Sequence, residues 1–299
     1  MKILLLTRPM PAEPFARAIT ALAPGHDIVE FRSGLDARAL ADVDVVLGWQ
    51  MPPGLAARMP KLRWVCAVAA GVDKLLVEDL PGTVPVSRIV DVEQAEGIAQ
   101  FVVLMALRHA RALPMYEAQQ RERSWRRQPV AAVRSRVTVL GTGAMGSVVL
   151  KLLAAVGFEA RGWSRGSAEP LEAVLATSDI VVCALPLTAQ TQGILDARAF
   201  AAMPRGAYLV NVARGGHVVE PDLIAAVRSG QLAGAALDVQ RNEPMAPDDP
   251  LWDVPGITIT PHIAAQPSTA TIAAQFVEGL ERLERGALPG QTIDRERGY

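Results

Sequence analysis

The run Gly141-Thr142-Gly143-Ala144-Met145-Gly146 constrains this chain more than any other feature. Glycines spaced G-x-G-x-x-G are by themselves a common kind of turn. Here they sit between an apolar, strand-like run at 137–140 and a helix-compatible run at 147–156. That context predicts a strand–turn–helix unit within a parallel sheet. Gly141 permits the tight turn, Gly143 lets backbone approach a bound group, and Gly146 lets the helix pack closely on the strand. Ala144 and Met145 complete the loop, and the free N–H groups at the helix N-terminus with the aligned peptide dipoles favour an anion there, as in a dinucleotide pyrophosphate. Gly157 supplies the helix stop.

The rest of the chain repeats this alternation of short apolar runs and helical stretches. Strands are expected at 2–7, 27–31, 43–48, 63–67 and 84–86. A second series is expected at 137–140, 158–163, 180–184, 207–212, 233–239 and 257–260. At 299 residues, two α/β domains with doubly wound parallel sheets are the natural reading. Between the series, Asp91 is placed to cap a long helix of about 22 residues, with Gln94 in capping-box position and Pro114 ending it. The following stretch carries Trp125 and the solvated Arg121, Arg123, Arg126 and Arg127. Ser268 caps a last amphipathic helix, closed by Gly286.

Composition narrows the function classes. Thirty Lys and Arg balance 31 Asp and Glu, so no basic surplus exists to neutralise a nucleic-acid backbone. No run approaches the ~20 apolar residues of a membrane helix. The apolar opening is too short for a signal peptide, and Arg8, Pro9 and Glu13 follow it at once. The two cysteines, Cys66 and Cys183, lie in strand-like runs and read as buried thiols of a cytoplasmic protein. No metal-ligand cluster is expected.

The second strand of the glycine-loop unit ends in Trp163-Ser164-Arg165, with no carboxylate until Glu169. An acid at that point would accept from a ribose 2′-hydroxyl. Ser164 and Arg165 instead suit a 2′-phosphate, so NADPH is expected ahead of NADH. Three later strand ends carry polar residues: Arg214 after Asn211-Val212-Ala213, Asp238 and Glu243 after the next strand, and His262 after Pro261. Reducing a 2-oxo acid needs a cation for carboxylate and carbonyl, a proton donor for the developing alkoxide, and a group to orient that donor. Arg214, His262 and Glu243 meet those needs in turn. His26, His109 and His217 read as structural or solvated.

These runs, with Asn242-Glu243-Pro244, Thr260-Pro261-His262 and the terminal Asp294-Arg295 and Arg297-Gly298-Tyr299, resemble the D-2-hydroxyacid dehydrogenase family. Within it, Trp163-Ser164-Arg165 and His217-Val218-Val219-Glu220 are similar to the glyoxylate/hydroxypyruvate reductase branch. The resemblance implies two Rossmann/flavodoxin-like domains with the active site in the interdomain cleft. The substrate domain would be discontinuous, 1–97 plus 268–299, and the dinucleotide domain would span 98–267. It further implies that Leu185, Pro186, Leu187 and Val212 line the cofactor and that Asp238 holds the nicotinamide carboxamide. Trp49 and the amides of Ala70 and Gly71 would meet the substrate. A homodimer is implied, with Trp125 near its interface. Two departures stand out: Ala144-Met145 replaces the Arg-Ile of many relatives, and the acid of NAD-preferring relatives is missing. Formate-type dehydrogenases carry Gln where Glu243 stands. A cofactor-sensing scaffold without turnover is the reading from another class, and the complete Arg–Glu–His set argues against it.

Overall fold

The computed structural model describes residues 1–128 and 135–298; Tyr299 of the terminal motif lies outside them. The chain forms two compact units, Met1–Val92 with Gln266–Tyr299, and Glu93–Ala265.

In the first unit, β1 (Lys2–Leu6), β2 (Asp27–Glu30), β3 (Val45–Gly48), β4 (Trp64–Ala67) and β5 (Val86–Ser87) form one sheet in the order β2-β1-β3-β4-β5. Every pairing in it is parallel. Alternate residues feed two cores. Leu4, Leu6, Val46, Val65 and Ala67 enter one, while Ile3, Leu5, Val45, Leu47, Trp64 and Cys66 enter the other. A sheet buried on both faces must read as continuous apolar runs, which is why these strands show no polar alternation. The helix Thr269–Glu284 covers the second face. Ser268 caps it, its Oγ accepting from the Thr271 amide at 3.0 Å. Its stripe of Ile272, Phe276 and Leu280 joins that core, and Phe276 stacks on Trp64 with ring centroids 5.0 Å apart. The last helix therefore packs with the N-terminal strands.

In the second unit, β6 (Arg136–Leu140), β7 (Glu159–Trp163), β8 (Ile180–Cys183), β9 (Ala207–Asn211), β10 (Leu232–Leu237) and β11 (Ile257–Ile259) form a six-stranded sheet in the order β11-β10-β9-β8-β6-β7. All of its pairings are parallel too. The chain runs outward from β6 to β7, then crosses back to β8 on the other side. Strand order thus reverses at β6, and all six carboxyl ends lie on one edge, where open α/β sheets take ligands.

One helix departs from expectation. The long helix runs Val92–Ala110, 19 residues, and a second helix, Leu113–Arg121, follows it. Ala112 between them is left-handed, with φ of 52°. Pro114 ends nothing; it sits in the first turn of the second helix, where its missing N–H breaks no bond. Among the described residues, no helix is long and apolar enough to cross a membrane.

Candidate active site

The glycine loop follows β6. A Cβ on Gly141 would lie 2.5 Å from the Ala184 carbonyl oxygen, and one on Gly146 only 1.8 Å from that of Gly141. Neither position admits a side chain. A Cβ on Gly143 would meet nothing within 4 Å, so the backbone there is open to a bound group. The helix Ala144–Ala155 begins directly after it, which puts Ala144 and Met145 in the first turn. This cradle suits a pyrophosphate on both counts, its steric room and its unused helical N–H groups.

At the end of neighbouring β7, the Ser164 amide donates to Ser167 Oγ at 3.0 Å, and the Arg165 guanidinium donates to the Gln190 side-chain oxygen. Glu169, the next acid along the chain, is engaged by Arg161 at 3.4 Å. Leu185, Pro186 and Leu187 leave β8, where the Pro186 carbonyl accepts from Thr191 Oγ1 at 2.7 Å.

Arg214 lies three residues past β9, beyond Val212. Asn211, fully buried, shapes this turn: its Oδ1 accepts from the Ala213 amide at 3.1 Å and its Nδ2 donates to the Arg214 carbonyl at 3.0 Å. Glu243 and His262 meet after β10 and β11. His262 Nδ1 lies 3.1 Å from Glu243 Oε2, with the two side chains 29% and 23% exposed. Glu243 Oε1 also accepts from the Gln240 amide at 3.1 Å, so both of its oxygens are employed.

The His262 segment is tied to Asp238, just past β10. The Asp238 carboxylate accepts from Thr260 Oγ1 at 2.7 Å, from the Ile263 amide at 2.8 Å and from the Ala264 amide at 2.9 Å. Its backbone carbonyl accepts from the His262 amide at 2.8 Å. Those bonds hold His262 in a left-handed conformation, φ 56°, which costs energy for a residue with a Cβ.

The family model described as "D-isomer specific 2-hydroxyacid dehydrogenase, NAD binding domain" matches residues 103–264, the span carrying all of these strand ends. The chain belongs to the D-2-hydroxyacid dehydrogenase family. Within this family of oxidoreductases it falls in the glyoxylate/hydroxypyruvate reductase branch. It is 33% identical to glyoxylate/hydroxypyruvate reductase A of Yersinia enterocolitica, covering 96% of each chain. A D-isomer-specific 2-hydroxyacid dehydrogenase from Xanthobacter autotrophicus Py2, solved with NADPH and MES, superposes with a TM-score of 0.89 at 38% identity, covering 100% and 99% of the two chains. An NADPH-dependent glyoxylate/hydroxypyruvate reductase from Sinorhizobium meliloti, solved with NADP and sulfate, gives 0.90 at 30% identity, with the same coverage.

In the first unit of this dehydrogenase, Trp49 follows β3, and Lys74 Nζ sits 5.1 Å from its ring centroid. Ala70 and Gly71 follow β4. Among the described residues, neither of their amides donates to a protein acceptor, although the preceding Ala69 carbonyl accepts from Ile89. Four residues that matter to the dehydrogenase edge are given no role at the site by the sequence reading, which names Asn211 and Thr260 only as motif neighbours and His217 only as structural or solvated. Asn211 shapes the Arg214 turn, Gln240 and Thr260 brace the Glu243 and His262 segments, and His217 is wholly buried beneath Arg214.

Proposed function

We propose that this dehydrogenase reduces a small 2-oxo acid, glyoxylate or hydroxypyruvate, to the 2-hydroxy acid, with NADPH preferred over NADH. The observation that carries the reading is the 3.1 Å contact between His262 Nδ1 and Glu243 Oε2 at the sheet edge that bears the glycine loop. Glu243 occupies Nδ1, which leaves Nε2 as the nitrogen that hands a proton to the substrate oxygen. The Arg214 guanidinium pairs with the substrate carboxylate and polarises the carbonyl. The unengaged amides of Ala70 and Gly71 would suit a carboxylate as well, and Trp49 is a further candidate for substrate contact. When bound, the nicotinamide supplies the hydride.

Gly141, Gly143, Ala144, Met145 and Gly146 would hold the pyrophosphate. Ser164 and Arg165 would take the 2′-phosphate, and no carboxylate follows them in sequence before Glu169 to repel it. Leu185, Pro186, Leu187 and Val212 would flank the nicotinamide side, with Asp238 beside the carboxamide. The NADPH and NADP found in the Xanthobacter and Sinorhizobium proteins support this choice. A homodimer is proposed too, on the exposed Leu104, Leu107 and Leu113 and the fully exposed Trp125. A cytoplasmic location accords with the two free, buried thiols.

The test is a panel of glyoxylate, hydroxypyruvate, pyruvate and phenylpyruvate followed by NADPH absorbance and repeated with NADH. Glyoxylate or hydroxypyruvate with NADPH should give the highest kcat/KM. Turnover of none of the four, or equal use of both nucleotides, would refute the corresponding half of the proposal.

A further inference from the structure

His217 is a buried titratable group at this edge that the proposed reaction does not use. It ends the short turn Gly215–His217, and none of it reaches solvent. Its Nδ1 lies 3.0 Å from the Arg214 carbonyl oxygen and its Nε2 lies 3.3 Å from that of Pro186. A carbonyl oxygen offers only lone pairs, so each contact needs a proton on the ring nitrogen. A neutral imidazole carries one such proton, and its bare nitrogen would face an oxygen at contact distance. Only the doubly protonated ring satisfies both.

The surroundings agree with a charge there. Burial opposes it, but the Cys183 sulfur beside the ring and the Arg214 and Pro186 carbonyls together push the imidazole up to about 9. Cys183, at the end of β8, is the titratable group facing the ring; the two carbonyls are the other polar groups against it. The carbonyls are also pinned by other donors. That of Arg214 accepts from Asn211 Nδ2 at 3.0 Å and from the His217 amide at 3.2 Å, and that of Pro186 from Thr191 Oγ1.

We infer that His217 is held as an imidazolium that clasps the Arg214 carbonyl to the Pro186 carbonyl, and is thereby a positioning residue for both segments. The two segments leave adjacent strands. Beyond the bond from the Val212 amide to the Cys183 carbonyl, the ring links them again where Arg214 starts toward substrate and Pro186 toward cofactor. The positional role rests on the reduction proposed above; the ring's charge does not.

The charge is read in the full-length protein labelled with 15N histidine, by long-range 1H–15N correlation at neutral pH. His217→Gln identifies the signal by its loss. Two protonated ring nitrogens are expected. One bare nitrogen, as in a neutral ring accepting from the Cys183 thiol, overturns the imidazolium. The positioning is read with His217→Phe, which fills the space without donors, and His217→Gln, which keeps an amide donor for one carbonyl. The Phe variant should lose on the order of 10- to 100-fold in kcat/KM for glyoxylate, through both kcat and KM, with partial recovery in the Gln variant. NADPH affinity, followed by nucleotide fluorescence, should weaken about tenfold in the Phe variant. That measurement reports the Pro186 arm even if no 2-oxo acid is turned over, so a wrong substrate assignment is distinguishable from a wrong clasp. A folded Gln variant with wild-type KM, kcat and NADPH affinity overturns the positioning role.

Discussion

Asp238→Asn replaces one carboxylate oxygen with an amide nitrogen at a site where both oxygens are in use. Asp238 is 1% exposed, so water has little access to its carboxylate. With the Asn oxygen on the Thr260 and Ile263 side, its NH2 points at the Ala264 amide, donor against donor. With the amide flipped, the NH2 meets the Ile263 N–H instead; the Thr260 hydroxyl can rotate to accept, but a peptide N–H cannot. Either way one part-buried peptide N–H is stranded, costing about 1–3 kcal/mol, and the surviving bonds lose the strength a charged acceptor gives. A total of about 2–4 kcal/mol is expected, a fall of roughly 5–15 °C in the thermal transition of the Glu93–Ala265 unit. The freed segment is the one that carries His262, so kcat for 2-oxo acid reduction should drop on the order of 10- to 100-fold. Thermal unfolding followed by circular dichroism, with steady-state rates taken well below both transitions, measures the two effects separately. An Asn variant that melts and turns over like the wild type would refute the claim that this carboxylate holds the loop.

His262→Ala should lower kcat by roughly 10²–10⁴, the usual worth of a positioned acid, with near-normal rates removing it from the reaction. Arg165→Ala should weaken NADPH binding about 10- to 100-fold and NADH far less; an equal loss in fluorescence titrations would defeat the 2′-phosphate reading. Gly146→Ala forces a methyl to within 1.8 Å of the Gly141 oxygen, so the loop must shift. Stability should fall by about 1–3 kcal/mol or more and both nucleotides should bind poorly, whereas unchanged binding would show that the close approach is not needed. The Arg136 guanidinium, hydrogen-bonded to Asp179 at 2.8 Å, holds that carboxyl below its usual 3.8, and the Arg136 amide adds to the effect. A depressed carboxyl stabilises the fold above the unfolded pKa and loses that contribution as pH falls through the folded value. Urea denaturation across the acid range should therefore show a shallower loss of stability in Asp179→Asn than in the wild type.

The central strands were legible because β1, β3, β4, β8 and β9 are buried on two faces and so are apolar at nearly every step. The glycine loop was legible because sterics alone dictate Gly141 and Gly146. The break at Ala112 was not, because no residue type there announces a left-handed turn and Pro114 is compatible with either end of a helix. Arg214, Glu243 and His262 could be listed from their strand ends, yet only the folded chain brings Glu243 against His262. Asp238 drew notice for a cofactor contact, while its three donors lie 22, 25 and 26 residues away in sequence. His217 could be read only as structural or solvated, for a related reason. Its acceptors are main-chain carbonyls, which every residue possesses, so no spacing of side chains marks them.

The segment after β11 is neither helix nor strand, yet the amides of His262, Ile263 and Ala264 all end on Asp238. In hydrogen exchange such a loop behaves as part of the sheet interior, because its amides open only when the end of β10 lets go. The placement of His262 is then as durable as the strand beside it.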